Sequence, residues 1–184
     1  MSGVFEQIGL FGWIGIALLL TVAAVLALAM TRPDHFRTVR TLHIAAKPER
    51  IFPLIADLGQ MNTWNPFARR ETLGQATYSG PASGKGAKFE FAGSKSGTGH
   101  IEVVDTEPPR KVTMRLVMTK PFKADNVVQF TLQPADTGTD VTWAMSGRQP
   151  LMAKVMSMVI DCDRMVGREF EQGLALLKSK AEAA

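Results

Sequence analysis

Asp163 is the residue of this sequence whose type and spacing are best suited to chemistry. Leu151, Val155, Met158, Val159, Cys162, Val166, Phe170, Gly173 and Leu177 recur at helical spacing, with Met152, Met156 and Leu174 at the edge of the same arc. Asp163 stands i+4 from Val159 and i+7 from Met156, which projects a carboxylate toward that apolar side. A buried carboxylate is costly unless it is paired, hydrogen-bonded or protonated. Asn126, inward on its strand with Ala124, Val128 and Phe130, can supply a hydrogen bond, as can the indole N–H of Trp143 or the hydroxyl of Tyr78. Two readings stay open. Asp163 is either a polar anchor at the base of an apolar pocket, acting as an acid/base if its pKa is raised, or a structural pair at the helix edge with Arg164 or a backbone N–H.

The other reactive side chains do not converge. His35 lies between segments, His43 is out of phase with Leu42 and Ile44, and His100 begins a separate strand-like run, so no metal site is expected. Cys162 is the single cysteine, which excludes an intrachain disulfide; in mid-arc, with no base nearby in the pattern, it reads as a small buried hydrophobe. The run Gly80-Pro81-Ala82-Ser83-Gly84-Lys85-Gly86 is one residue short for a phosphate loop, has Gly86 where Ser or Thr is needed, and leads into a strand. Gly93, Gly97 and Gly99 have the context of a hairpin, not of dinucleotide binding. No cofactor is expected.

The elements that must position these groups follow from periodicity. The spacing predicts one long closing helix from Leu151 to about Leu177. Before it, from Arg69 to Arg148, the period is 2, which predicts strands over Glu71 to Tyr78, Ala87 to Phe91, His100 to Asp105, Lys111 to Thr119, Ala124 to Leu132 and Thr139 to Ser146. Phe36 to Ile44 is a further strand. Glu49 to Asp57 and Leu58 to Trp64 are short helices, the second stopped by Asn65-Pro66. Short turn-rich connections between adjacent strands imply an antiparallel meander. The class is α+β, a sheet of about seven strands around the closing helix.

An additional element precedes this domain. From Leu10 to Met30 no residue is charged, and at about 1.5 Å per residue the stretch reaches roughly 31 Å, the hydrocarbon thickness of a bilayer. A cleaved signal peptide is the competing reading, given Ala27-Leu28-Ala29. Against it, the segment before the run carries Glu6 and no basic residue, and the apolar core is longer than a signal core. The expected organisation is therefore a single transmembrane anchor with its linker over 1–35 and a ligand-binding domain over 36–184. Arg32, Arg37, Arg40, Lys47 and Arg50 follow the run, which places the C-terminal domain on the cytoplasmic side of the cell membrane. Thr31 to His35 extends at most about 18 Å, so the domain is expected against the lipid surface. The 21 basic and 17 acidic residues, net +4, are spread along the chain without the clustered footprint of a nucleic-acid binder. Weak attraction to anionic headgroups is the simpler implication, and oligomeric state is not determined.

The order strand, two short helices, six strands and a long C-terminal helix resembles the START-like helix-grip superfamily, and within it the polyketide cyclase/dehydrase and lipid transport group. Ile44-Ala45-Ala46-Lys47-Pro48-Glu49-Arg50-Ile51-Phe52, Asp57-Leu58 leading to Trp64-Asn65-Pro66, and Glu107-Pro108-Pro109 carry the resemblance. It implies a curved sheet that encloses, with the closing helix, a cavity for an apolar small molecule. On that expectation the ligand would meet Tyr78, Phe89, Phe91, Met114, Leu116, Met118, Asn126, Val128, Phe130, Trp143 and Met145, with Met152, Met156, Val159 and Asp163 from the helix. The function implied is membrane-tethered binding or transport of a lipid, quinone or polyketide-like compound. The alternatives are a cyclase or dehydratase using Asp163, and a non-catalytic regulator that binds a protein.

Overall fold

The computed structural model describes residues 9–69, 76–93 and 97–183. Its elements are α1 (Leu10–Met30), β1 (His35–Ile44), α2 (Pro48–Ala56), α3 (Leu58–Asn62), α4 (Pro66–Arg69), β2 (Ala76–Ser79), β3 (Lys88–Gly93), β4 (Gly97–Glu107), β5 (Lys111–Lys120), β6 (Ala124–Ala135), β7 (Gly138–Arg148), α5 (Leu151–Met156) and α6 (Cys162–Glu182). They form two compact units. One holds the described residues through Asp34 with Gln149–Asp161; the other holds the described residues of 35–148 and 162–183.

The larger unit is α+β. Its strands make one curved antiparallel sheet in the order β1-β7-β6-β5-β4-β3-β2, as alternating apolar residues joined by short turns require. Register shifts between Thr98 and Gly99 and between Val103 and Asp105 put one extra residue, Thr119, into β5 and another, Val104, into β4, and such irregularities bend a strand. Of the expected strand from Glu71 to Tyr78, 71–75 lie outside the described residues and β2 supplies the remainder. The buried residues of α6, Gly167, Phe170, Gly173, Leu174, Leu177 and Ala181, repeat every three or four positions, which gives the helix one apolar stripe to set against the sheet. Asp57 starts α3 by accepting hydrogen bonds from the backbone N–H of Gly59 and Gln60. Trp64, 1% exposed, donates its indole N–H to the Leu54 carbonyl at 2.8 Å, tying α3 back to α2.

The closing helix is not continuous. It breaks into α5 and α6, and residues 157–160 form a turn in which Met158 N–H bonds Val155 O at 3.1 Å and Val159 N–H bonds Met156 O at 3.1 Å. The β-branched pair Val159-Ile160 weakens helix propensity there. Asp161 is a residue type suited to cap a new helix, and Asp163 in the first turn of α6 complements its dipole. Starting at Cys162, the helix turns that cysteine to solvent, so it is exposed and not the buried hydrophobe expected.

In the smaller unit, α1 contains a stretch, Gly12–Met30, with mean hydropathy 2.5, long and apolar enough to cross a membrane. It is apolar on every side. Helix α5 packs against α1. Gln149 N–H donates to Asp34 O at 2.7 Å, Lys154 Nζ to Asp34 Oδ1 at 2.6 Å, and Arg32 Nη1 to Ser157 O at 3.4 Å.

Candidate functional site

Cross-strand register assembles the site. One row of inward positions runs Phe89, Ile101, Leu116, Asn126 and Gly147 across β3 to β7, and the next runs Val103, Met114, Val128 and Met145. Neighbouring positions on one face pack as a layer. A cavity of about 350 Å³ lies over these rows, lined by Met61, Asn62, Asn65, Phe67, Ala68, Phe89, Phe91, Ile101, Leu116, Met118, Asn126, Val128, Trp143, Met145, Val166 and Phe170. That volume is in the range of small-molecule sites, and the mixture of many apolar walls with a few polar groups has the usual composition of one.

The floor is aromatic. Trp143 stacks on Phe170 with ring centroids 4.1 Å apart and planes 7° from parallel, and meets Trp64 edge-on at 5.8 Å. Gly173 makes this contact possible, because a Cβ there would stand 2.6 Å from Trp143 Cζ3 and 3.0 Å from Pro66 Cδ. Trp143 Nε1 is buried without a hydrogen-bond partner. The polar groups of the wall are carboxamides. Asn62 donates to the Tyr78 hydroxyl at 2.8 Å, and Asn65 accepts from the Phe67 backbone N–H at 3.1 Å. Asn126 is 8% exposed, and its Oδ1 occupies the space that a side chain at Gly147 would fill. Among the described residues, every one that lines the cavity is uncharged.

Gly147→Ala is therefore expected to swing the Asn126 carboxamide out of place while leaving the fold intact. The loss of one hydrogen bond, about 0.5–1.5 kcal/mol, corresponds to roughly twofold to thirteenfold in affinity for an apolar ligand with a polar head. Titration of such a ligand against both proteins, with denaturation midpoints as the control, checks it.

Of the residues expected at the site, Phe89, Phe91, Leu116, Met118, Asn126, Val128, Trp143 and Met145 line the cavity. Met114 and Phe130 are fully buried in the core and do not reach it. Tyr78 is half-exposed at its margin, tilted against Phe89 at 4.9 Å. Met152, Met156 and Val159 belong to the other unit and are exposed, because the helix breaks ahead of Cys162. Val166 and Phe170, four apart on α6, take the helix side of the lining instead. Met61, Asn62, Asn65, Phe67 and Ala68 come from α3, α4 and their junction, and Ile101 from β4. The alternation of β4 contained the signal for Ile101; for the short α3 and α4 segments periodicity offers too few turns to assign a face.

Asp163 sits elsewhere, outside the lining. Arg40 of β1 lies across α6 at Gly167, whose missing side chain gives the guanidinium its place. It donates to Asp163 Oδ2 at 3.1 Å and to Glu171 Oε1 at 2.8 Å, two carboxylates four residues to either side of that glycine. Asp163 is thus paired at the helix edge, and the partner is Arg40, 123 positions away in the chain, a residue that the expectation of a pair with Arg164 or a backbone N–H did not include. The Arg40 hydrogen bond first, then one from Thr38, holds the Asp163 carboxyl below its ordinary value. A depressed folded pKa stabilises the ionised form. This contribution is therefore fully present above about pH 4 and is lost as pH falls through the folded value. The Asp163 side chain is 57% exposed, so solvent screening keeps the effect small. Urea denaturation of wild type and Asp163→Asn should show a stability gap at about pH 6 that narrows as pH falls below about 4.

The family model for polyketide cyclase / dehydrase and lipid transport matches residues 35–182. Among solved structures, a Mesorhizobium loti protein is 18% identical, with a TM-score of 0.60 over 81% of this chain and 98% of its own. A Rhodobacter sphaeroides protein is 20% identical, with a TM-score of 0.57 over 80% and 92%. The di-domain ARO/CYC StfQ of the steffimycin biosynthetic pathway is 12% identical, with a TM-score of 0.62 over 81% of this chain and 51% of its own. At these identities the likeness shows the fold, a helix-grip arrangement. No curated protein matches by sequence.

Proposed function

The chain belongs to the polyketide cyclase/dehydrase and lipid transport family, and on that premise we propose that it binds an apolar small molecule in the cavity of its sheet unit while α1 tethers it to a membrane. The observation that carries this reading is the cavity itself: about 350 Å³, walled by aromatic, aliphatic and methionine side chains, with carboxamides and the Trp143 indole as the hydrogen-bonding side chains among the described residues that line it. Burial of apolar surface supplies affinity at about 25 cal/mol per Å², and the methionines adapt to varied shapes. A lipid, a quinone or a polyketide-like compound has the matching chemistry. Acid/base catalysis would need an ionisable group at the bound molecule. Among the described residues the lining contributes none, and Asp163 is committed to Arg40. Binding or transport is thus better supported than a cyclase or dehydratase reaction.

The tether reading rests on the length and apolarity of α1 and on the basic residues that follow it, which favour a cytoplasmic sheet unit. The linker keeps that unit within reach of lipid. The protein, purified in detergent, should release a stoichiometric apolar compound on organic extraction, identified by mass spectrometry. After delipidation it should take up a lipid or quinone in a fluorescence titration. Recovery of no compound together with no saturable uptake would sink the binding reading.

A further inference from the structure

We propose that residues 151–160 form a second, interfacial contact with the lipid bilayer beside the end of α1, an inference that rests on α1 being the membrane anchor. The segment is inside out by the standards of a water-exposed surface. Its single charged side chain, Lys154, is 6% exposed, whereas Val159 is 88% and Met152 68% exposed, and Leu151, Met156 and Ile160 are exposed with them. In water such an arrangement is disfavoured twice, by hydrating large apolar side chains and by withdrawing an ammonium. Buried charge and an exposed apolar patch are the informative departures from ordinary burial.

The partner is identified by the segment's attachment. Lys154 is neutralised by Asp34 at 2.6 Å, Gln149 N–H bonds Asp34 O at 2.7 Å, and Arg32 reaches Ser157 O at 3.4 Å. Asp34 and Arg32 lie just past the last residue of α1, and the fully buried Ala29 marks the last turn of that helix as covered. With α1 spanning the hydrocarbon, these bonds hold α5 and its turn at the depth of the final α1 turns, the boundary between acyl chains and headgroups. An amphipathic segment lying there buries its apolar side by roughly 5–10 Å. Residues 151–160 contain no Asp or Glu to repel anionic lipid, and exposed Arg32 favours it. The apolar residues that periodicity assigns to the closing helix are thus used against lipid.

The test uses the full chain in vesicles of phosphatidylcholine with a minority of phosphatidylglycerol. Native Cys162 is first replaced, Cys162→Ser, and an environment-sensitive fluorophore is attached to Met152→Cys, Val159→Cys, Leu19→Cys in α1, or Asp136→Cys in the exposed β6–β7 turn. Expected is blue-shifted emission at 152 and 159, quenched by nitroxide on the upper acyl chain and protected from iodide, with 136 iodide-accessible and insensitive to nitroxide. Labels at 152 and 159 that behave like 136, while the label at 19 is quenched by nitroxide deep in the chain, would overturn the interfacial contact and leave the anchor standing. An unquenched label at 19 would remove the anchor and this inference with it.

Discussion

Trp143→Ala is expected to destabilise the sheet unit by about 3–5 kcal/mol, the range for truncating a buried large aromatic. Trp143 is 2% exposed and joins three elements. Its ring stacks on Phe170 of α6, meets Trp64 beyond α3 edge-on, and lies tilted against Phe130 of β6 at 4.9 Å. Aromatic pairs in these geometries add about 0.5–1.5 kcal/mol each beyond their area. The vacated volume would also open into an existing cavity, so the surroundings have little reason to collapse around it. Urea denaturation followed by circular dichroism measures the change. Trp143→Phe separates the two properties of the indole: Nε1 has no partner among the described residues, so the phenyl ring sacrifices area but no hydrogen bond they make and should cost clearly less. A loss as large as that of alanine would mean that the stacking described here does not hold the unit together.

The second large effect concerns the ligand. Leu116→Trp is expected to lower affinity for an apolar ligand about 10²-fold with little change in stability. Leu116 sits in the lining opposite Asn126, between Ile101 and the carboxamide in one cross-strand row. The larger ring has open volume to enter, so overpacking is avoided, and it occupies room that the ligand would otherwise fill. Excluding about four methylenes from burial costs roughly 3 kcal/mol at about 0.8 kcal/mol each, which is the stated factor. Fluorescence titration of the delipidated protein and its variant reads it directly. Unchanged affinity alongside unchanged stability would place the ligand outside this cavity.

The acid side of the stability curve follows different residues. Asp125 is held low by Arg115, and Glu90 by Lys88, as Asp163 is by Arg40. Each of these shifts favours the ionised carboxylate of the folded state, so each contribution is fully present at neutral pH and is lost as pH falls below about 4 through the depressed folded values. All three pairs are exposed enough for salt to screen them.

The arrangement of strands and the inward residues of β3, β5, β6 and β7 could be read from the sequence because a period of 2 with one buried face leaves little choice: shifting Leu116 or Val128 by one residue would turn the whole row to solvent. The apolar stretch of α1 was legible for the same kind of reason, since length and absence of charge alone specify it. Eight of the expected ligand contacts line the cavity on this basis. The break of the closing helix was not legible, because 151–177 keeps one apolar arc whether it is one helix or two. Helical periodicity specifies a face but not the neighbour that covers it. Asp163 lies on that same arc; once α6 begins at Cys162, the carboxylate falls at a helix end beside Arg40, a residue 123 positions away in the chain. Gly147 and Gly167 could be read only as glycines, until the fold showed the Asn126 carboxamide and the Arg40 guanidinium occupying their vacant side-chain space. Local pattern thus determined the elements and which side of each strand is buried. Only the tertiary structure decided which long-range partner meets each polar group, because pairing energies depend on distances that no spacing along the chain encodes.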